Sequence, residues 1–216
     1  MIEFYEGPMV IVIVGVIEYR LYQRLLCHCS TFFNGAFNGH FIEGETQELT
    51  LACSTESFDL VIQWMYTAHA VLPPTVVSDS DKVSRLLDFL KLADFLHLTG
   101  PFTTINETIH EMVKDRSNLE SKHIQEAMKL PAGTPARQLI VQACVGPYMA
   151  SLGWSYVSEK TGIMIDFKFK TELDELDGFA AELLRLFGET ARKKQSWKRG
   201  QSSVLDPATD ERMYYK

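Results

Sequence analysis

No apolar run in this chain of 216 residues is long enough to span a bilayer, which takes about 20 consecutive apolar residues. The longest, Met9 through Ile17, invites a signal-peptide reading, but Glu3 and Glu6 precede it and no Lys or Arg does. An intracellular location, cytoplasm or nucleus, is therefore expected, with no membrane partner, and the Asn106-Glu107-Thr108 sequon is incidental. Positive charge is also scarce. Against 28 acidic residues stand 21 Lys and Arg, a net charge of -7, so the chain repels nucleic acid and acidic membrane surfaces unless charge is segregated. The one basic concentration is Arg192 to Arg199, RKKQSWKR. It is a solvated tail or an import or nucleic-acid contact segment.

Cysteine is sparse as well. Cys27, Cys29, Cys53 and Cys144 lack the spacing of a disulfide framework, so reduced thiols are expected. There is no glycine-rich phosphate loop, no His-Glu-x-x-His and no Gly-x-Ser-x-Gly. Internal repeats and low-complexity tracts are absent too.

Hydrophobic residues make up 46% of the chain, enough for one good core and an appended helical lobe. Met9 to Val14, rich in Val and Ile, suits a strand buried on both faces. Gly15 to Glu18 can turn the chain so that Tyr19 to Tyr22 pairs back as a hairpin. Leu25, Leu26 and Cys29 form a short helical stripe. Phe32, Phe33, Ala36 and Phe37 repeat at helical spacing up to Gly39, which implies deep burial. Gln47 to Leu51 alternates like a strand covered on one face, and Ser54 or Thr55 can cap a helix with Phe58, Val61, Ile62, Met65 and Tyr66 on its stripe.

After Leu72-Pro73-Pro74, Ser78 to Asp81 offers a cap for a helix over Val83 to Leu98. Its apolar residues, Leu86 through Leu96 with Phe95 among them, surround most of its circumference, as in an enclosed central helix. Gly100-Pro101 ends it, and Phe102, Ile105, Ile109, Met112 and Val113 mark an antiparallel partner. Asp115 to Lys122 reads as a linker. Thr134-Pro135 opens a further helix with Leu139, Ile140, Ala143 and Cys144 on one face, kinked or closed at Gly146-Pro147, and Leu173 to Phe187 is one last amphipathic segment.

Several of these pieces recur together: Tyr19 to Tyr22, the helix Gln23 to Cys29, Ser30-Thr31-Phe32-Phe33, a helix ending in Phe41-Ile42-Glu43, the strand Glu48 to Leu51, and Phe58 to Thr67 closing on Trp-x-Tyr-Thr. In order and spacing they resemble the heart of a BTB/POZ domain. Leu92-Ala93-Asp94 matches the family's usual Leu-Ala-Asp, and with Gly7 to Val10 and Thr134 to Arg137 it is most similar to short fungal BTB proteins with a C-terminal helical extension. The family usually has His-Lys where Tyr22-Gln23 stand. Only eight residues precede Met9, where the long dimeric animal form carries a further helix, so its helix-exchanged homodimer is not expected.

The resemblance implies an α+β fold, a small sheet packed against a cluster of helices, with a BTB/POZ domain over 7–116, a helical extension over 117–190 and a basic, flexible tail over 191–216. It also implies a non-enzymatic protein-interaction module. Phe41-Ile42-Glu43 corresponds to the hydrophobic-x-Glu signature with which cullin adaptors of the family contact the cullin scaffold, so Phe41 and Glu43 are the expected partner-binding residues; the competing reading puts Phe41 in the core. A self-association module of a transcription or chromatin complex, as homodimer or hetero-oligomer, is the alternative.

An enzyme is the reading from another class. Cys27-His28-Cys29, with His40 and Cys53, is the nearest thing to a metal cluster, and Cys144 with His123 to a nucleophile and base. Residues two apart on a helix point to different sides, and Cys144 sits on an apolar face, so packed thiols are expected, with no catalytic, cofactor-binding or metal-binding residues.

Overall fold

The computed structural model describes residues 2–156, 166–193, 195–196 and 202–215. They divide into two compact units, Met1–Ile105 and Asn106–Lys216.

The first unit is built on a three-stranded sheet. β1 (Met9–Val14) pairs antiparallel with β2 (Ile17–Tyr22) and parallel with β3 (Glu48–Leu51), giving the order β2-β1-β3. Gly15, at φ 61°, opens the two-residue turn of the hairpin, a position where glycine meets no Cβ penalty. Val10, Val12 and Val14 are fully buried, whereas Ile11 and Ile13 on the other face are half-buried. The expectation of burial on both faces is thus corrected. Across the sheet Ile11 and Ile13 stand beside Arg20 and Glu18 of β2 and Glu48 and Thr50 of β3, all exposed.

Five helices of this unit follow in chain order: α1 (Gln23–Cys29), α2 (Thr31–Asn38), α3 (Ile42–Thr46), α4 (Thr55–Thr67) and α5 (Asp79–Phe95). Ser30, Ser54 and Ser78 begin α2, α4 and α5 in the same way, each side chain accepting the N–H three residues on, from Phe33, Ser57 and Asp81. A serine in extended conformation satisfies one of the amide donors that a helix start leaves without a partner. Phe33, Trp64, Leu90 and Ala93 are all buried, as the helical stripes predict. Gly100 touches this core directly, since an added Cβ would run into the Trp64 ring.

Three stripes differ from expectation. In α2 only Phe33 and Phe37 are buried, their rings stacked 6.1 Å apart, while Phe32 and Ala36 are half-buried because one face alone meets the core. In α4 the buried set includes Leu60 and Trp64, and Ile62 and Tyr66 are half-exposed, so the inward face is rotated by about one residue. α5 stops at Phe95, short of Gly100. There the chain leaves the helix to pair with the α1–α2 junction: Ser30 and Leu98 form a β-bridge, Thr99 N–H donates to the Cys29 carbonyl at 2.8 Å, and Ser30 Oγ donates to the Leu96 carbonyl at 2.5 Å. Phe95, the last residue of α5, is 58% exposed, its ring 5.3 Å from that of Phe32.

α6 (Thr103–Lys114) spans the boundary between the units and buries Ile105, Ile109 and Val113. In the second unit, the expected linker Asp115 to Lys122 contains a 3-10 turn, Arg116–Asn118, and the start of α7 (Ser121–Ala127). α8 (Pro135–Ser151) has its proline at the first turn as predicted, but Thr134 Oγ1 donates to the Pro131 carbonyl at 2.9 Å rather than capping the helix. Pro147 does not close α8. Val145, Gly146 and Met149 are buried around it, and that packing carries the helix past the missing hydrogen bond. The segment Leu173 to Phe187 is two helices, α9 (Lys170–Glu175) and α10 (Phe179–Arg192), separated at Gly178 with φ 81°. α10 packs on α8, and Arg137 bridges the two elements: Nη2 and Nε donate to the Glu182 carboxylate at 2.6 and 3.3 Å, and Nη1 to the Leu130 and Met128 carbonyls at 2.7 and 3.1 Å.

The last part of the expected tail is a β-structure. β4 (Trp154–Tyr156), β5 (Gln195–Ser196), β6 (Ser202–Leu205) and β7 (Arg212–Tyr215) form a sheet of order β4-β7-β6-β5. Val204, Ala208 and Met213 are buried, and Asp206, fully buried at the hairpin turn, is paired with Arg116 at 3.0 Å. Apolar burial and that ion pair order a segment whose composition reads as solvated. Of the basic run, Arg192 and Lys193 end α10, while residues 194 and 197–199 lie outside the described residues.

Candidate protein-interaction site

The expected partner-binding residues follow α2 after a close turn. Gly39 is the C-cap of α2, and an added Cβ there would collide with the Gly35 carbonyl oxygen and press on the Phe41 ring. An added Cβ at Gly44 would lie 2.8 Å from the Gly39 carbonyl oxygen. Two glycines therefore let the backbone fold back on itself within a few residues. Phe41, at φ -86° and ψ 163°, is the N-cap of α3, so Phe-x-Glu opens a short helix instead of ending the previous one as expected. Glu43 and Glu45 stand in its first turn, where carboxylates are favoured by the partial positive charge of the helix start. Gln47, left-handed at φ 59°, closes α3 with its N–H on the Glu43 carbonyl at 2.9 Å and leads into β3.

Phe41 is 63% exposed and Ile42 70% exposed, while Glu43 is half-buried. The core reading of Phe41 does not fit this exposure. Ile42 was not singled out from sequence, where it is simply the middle residue of the motif, because an isolated apolar residue in a short segment carries no periodicity to show which way it faces.

Gln23, in the position where the family usually has Lys, reaches from the start of α1 to the end of α2: Nε2 donates to Asn38 Oδ1 at 3.0 Å and to the Phe37 carbonyl at 3.4 Å. Its neighbour Tyr22 packs edge-on against Tyr5, which stacks on Tyr66 at 5.6 Å.

The thiols take separate partners. Cys27 Sγ–H points to the Phe33 carbonyl at 3.7 Å and accepts from Asn38 Nδ2, whereas Cys29 is buried and points to the Met65 carbonyl. Burial pushes the Cys27, Cys29 and Cys53 thiols up, away from the thiolate form that attacks or binds metal. Cys144 is fully buried, donates to the Ile140 carbonyl at 3.3 Å and is pushed up further by the same cause. His123 is occupied as a helix cap, its Nδ1 accepting the Glu120 N–H at 3.1 Å. Among the described residues no three His, Cys, Asp or Glu side chains are grouped to hold a metal ion, and no helix is long and apolar enough to cross a membrane.

The sheet, the serine-capped helices and the helix ending in Trp64-Met65-Tyr66-Thr67 occupy the stretch that matches the BTB/POZ domain model, residues 9–112. Residues 9–112 are a BTB/POZ domain. BTB/POZ domains are protein-protein interaction modules, not typically enzymes, and they mediate oligomerisation. No curated protein matches the chain.

Proposed function

We propose that this BTB/POZ protein is an adaptor that recruits a cullin-type ubiquitin ligase scaffold, with Phe41 and Glu43 as its contact residues. The observation that carries the reading is the exposed pair Phe41 and Ile42 beside an acidic first turn. An apolar anchor next to a carboxylate is the composition of a small binding hot spot. In this reading the interaction domain spans residues 7–116, and the helical extension, 117–190, or an associated protein selects the target.

Affinity capture of the tagged chain from its own cells tests the proposal, with Glu43→Lys as control. Co-purification of a cullin with the wild type and its loss with Glu43→Lys supports it, because reversing a surface charge seldom unfolds a domain but disrupts a partner contact. Capture of histone-modifying or DNA-bound subunits without a cullin would replace it by the transcription-complex reading.

A further inference from the structure

In the first unit, the chain that joins α4 to α5 leaves a groove of about 550 Å³ between itself and α4, lined mostly by apolar surface. Its position follows from the end of α4. Ala68, left-handed at φ 57°, stops the helix, and the chain returns alongside it, held by the Val71 N–H on Gln63 Oε1 at 2.6 Å. Pro73 and Pro74 follow, and the Val76 N–H on the Pro73 carbonyl at 3.0 Å closes a turn before the Ser78 cap of α5. Two consecutive prolines with fixed φ make this a stiff wall, so a ligand meets a groove that is already formed.

The other wall is one face of α4, where Glu56, Asp59, Leu60 and Gln63 fall at i, i+3, i+4 and i+7. Leu60 supplies apolar surface together with Leu72 and Val76, while Val71 and both prolines are exposed. The polar groups of the groove are only partly used. Asp59 gives Oδ1 to the Tyr19 hydroxyl, and among the described residues Asp59 Oδ2, Gln63 Nε2 and the Thr75 hydroxyl have no hydrogen bond. Arg85 of α5 stands 4.0 Å from Glu56. Two carboxylates against one guanidinium leave the lining net negative. Glu56 also keeps its charge, since its own amide and then Arg85 hold the carboxyl below its usual range.

We propose that this groove binds a short extended segment of a partner protein that carries an apolar side chain and, two residues away, a lysine or arginine. Residues two apart in an extended peptide face the same way. The apolar side chain therefore enters between Leu60, Leu72 and Val76 while the cation meets the carboxylates of Glu56 and Asp59. Gln63 Nε2 and the Thr75 hydroxyl are donors for the segment's carbonyl groups. Apolar enclosure with a few convergent polar groups is the make-up of a ligand site, and the negative lining disfavours acidic segments. Phe41 and Glu43 take no part, so failure here leaves the adaptor reading untouched.

The probe is the blocked peptide acetyl-Arg-Ala-Leu-Ala-Arg-amide, whose leucine has an arginine two residues away in either direction. It is titrated into the isotope-labelled full chain and followed through the amide NMR signals. Saturable shifts are expected at Leu60, Gln63, Val71 and Val76. Replacing both arginines of the peptide by glutamate, or its leucine by serine, should weaken binding roughly tenfold or more. The paired substitution Glu56→Gln with Asp59→Asn keeps side-chain shape, is checked by thermal melting, and should weaken the arginine peptide roughly tenfold. The comparison of peptides uses wild type alone, so it decides even where the variant fails to fold. No saturable shift in the groove, a glutamate or serine peptide that binds as tightly, or unchanged affinity in a variant that melts like wild type would each overturn the proposal.

Discussion

The Tyr19 hydroxyl donates to Asp59 Oδ1 at 2.9 Å, tying the outer strand β2 to the helix α4, and the Tyr19 ring stands edge-on to buried Phe58 at 5.0 Å. Burial, reinforced by the hydrogen bond and charge of Asp59, pushes the Tyr19 phenol up to about 12. The phenol's folded value lies above its unfolded value of about 10, so its contribution to stability is complete below pH 10 and is lost as pH rises from 10 towards 12. Ultraviolet titration should show one tyrosine ionising late in that window. Asp59→Asn should bring it down, since it removes the charge that disfavours phenolate.

Ser30 is fully buried and does two jobs, capping α2 by accepting from Phe33 N–H at 3.1 Å and donating to the Leu96 carbonyl beyond α5. Ser30→Ala removes the cap and leaves a buried carbonyl with one partner fewer. The expected loss is about 2 to 3 kcal/mol by chemical denaturation. Ser54→Ala, losing a cap at an exposed site, should cost only about 1 kcal/mol.

Two phenylalanines separate the stripes that are buried from those that are not. Phe33→Ala should cost about 3 to 5 kcal/mol, because the side chain is fully enclosed. Phe95→Ala should stay within about 1 kcal/mol, since that ring is mostly in water and meets Phe32 alone among the described aromatic rings. Denaturant midpoints of the two variants give the comparison directly.

In the second unit, Arg137 is buried with four donor contacts to Glu182, Leu130 and Met128. Arg137→Ala should destabilise by about 3 to 5 kcal/mol, as removal of one partner from a buried pair strands the other charge and two carbonyls. Lysine should not rescue it, because a single ammonium cannot reproduce the guanidinium fork.

What the sequence made legible depends on how many residues repeat a pattern. The stripe through Ile105, Ile109 and Val113 is stated several times over by periodicity and is buried as read, and Ser54 and Ser78 lie among the residues read as able to cap α4 and α5. α7 was missed because only Ile124 and Ala127 mark its inner face and its cap is an unusual Glu120–His123 pair. The hairpin β6–β7 was missed because strands of four residues hold too little alternation to stand out beside a basic run. α5 ends at Phe95 through contacts with Ser30, Cys29 and Leu98 that are distant in sequence. At the candidate site, the family motif pointed to Phe41 and Glu43, but the exposure of Ile42 and the glycine contacts at Gly39 and Gly44 exist only in three dimensions.

Whether Phe41 is held outward for a partner is decided by titrating a purified cullin scaffold against wild type and Phe41→Ala in a calorimeter, with melting curves of both chains alongside. A Phe41 held outward gives an unchanged melting temperature and a loss of roughly 2 kcal/mol in binding, on the order of thirty-fold in Kd. Equal affinity for the two chains would contradict it, and so would a Phe41→Ala chain that melts well below wild type, which would return this side chain to the core.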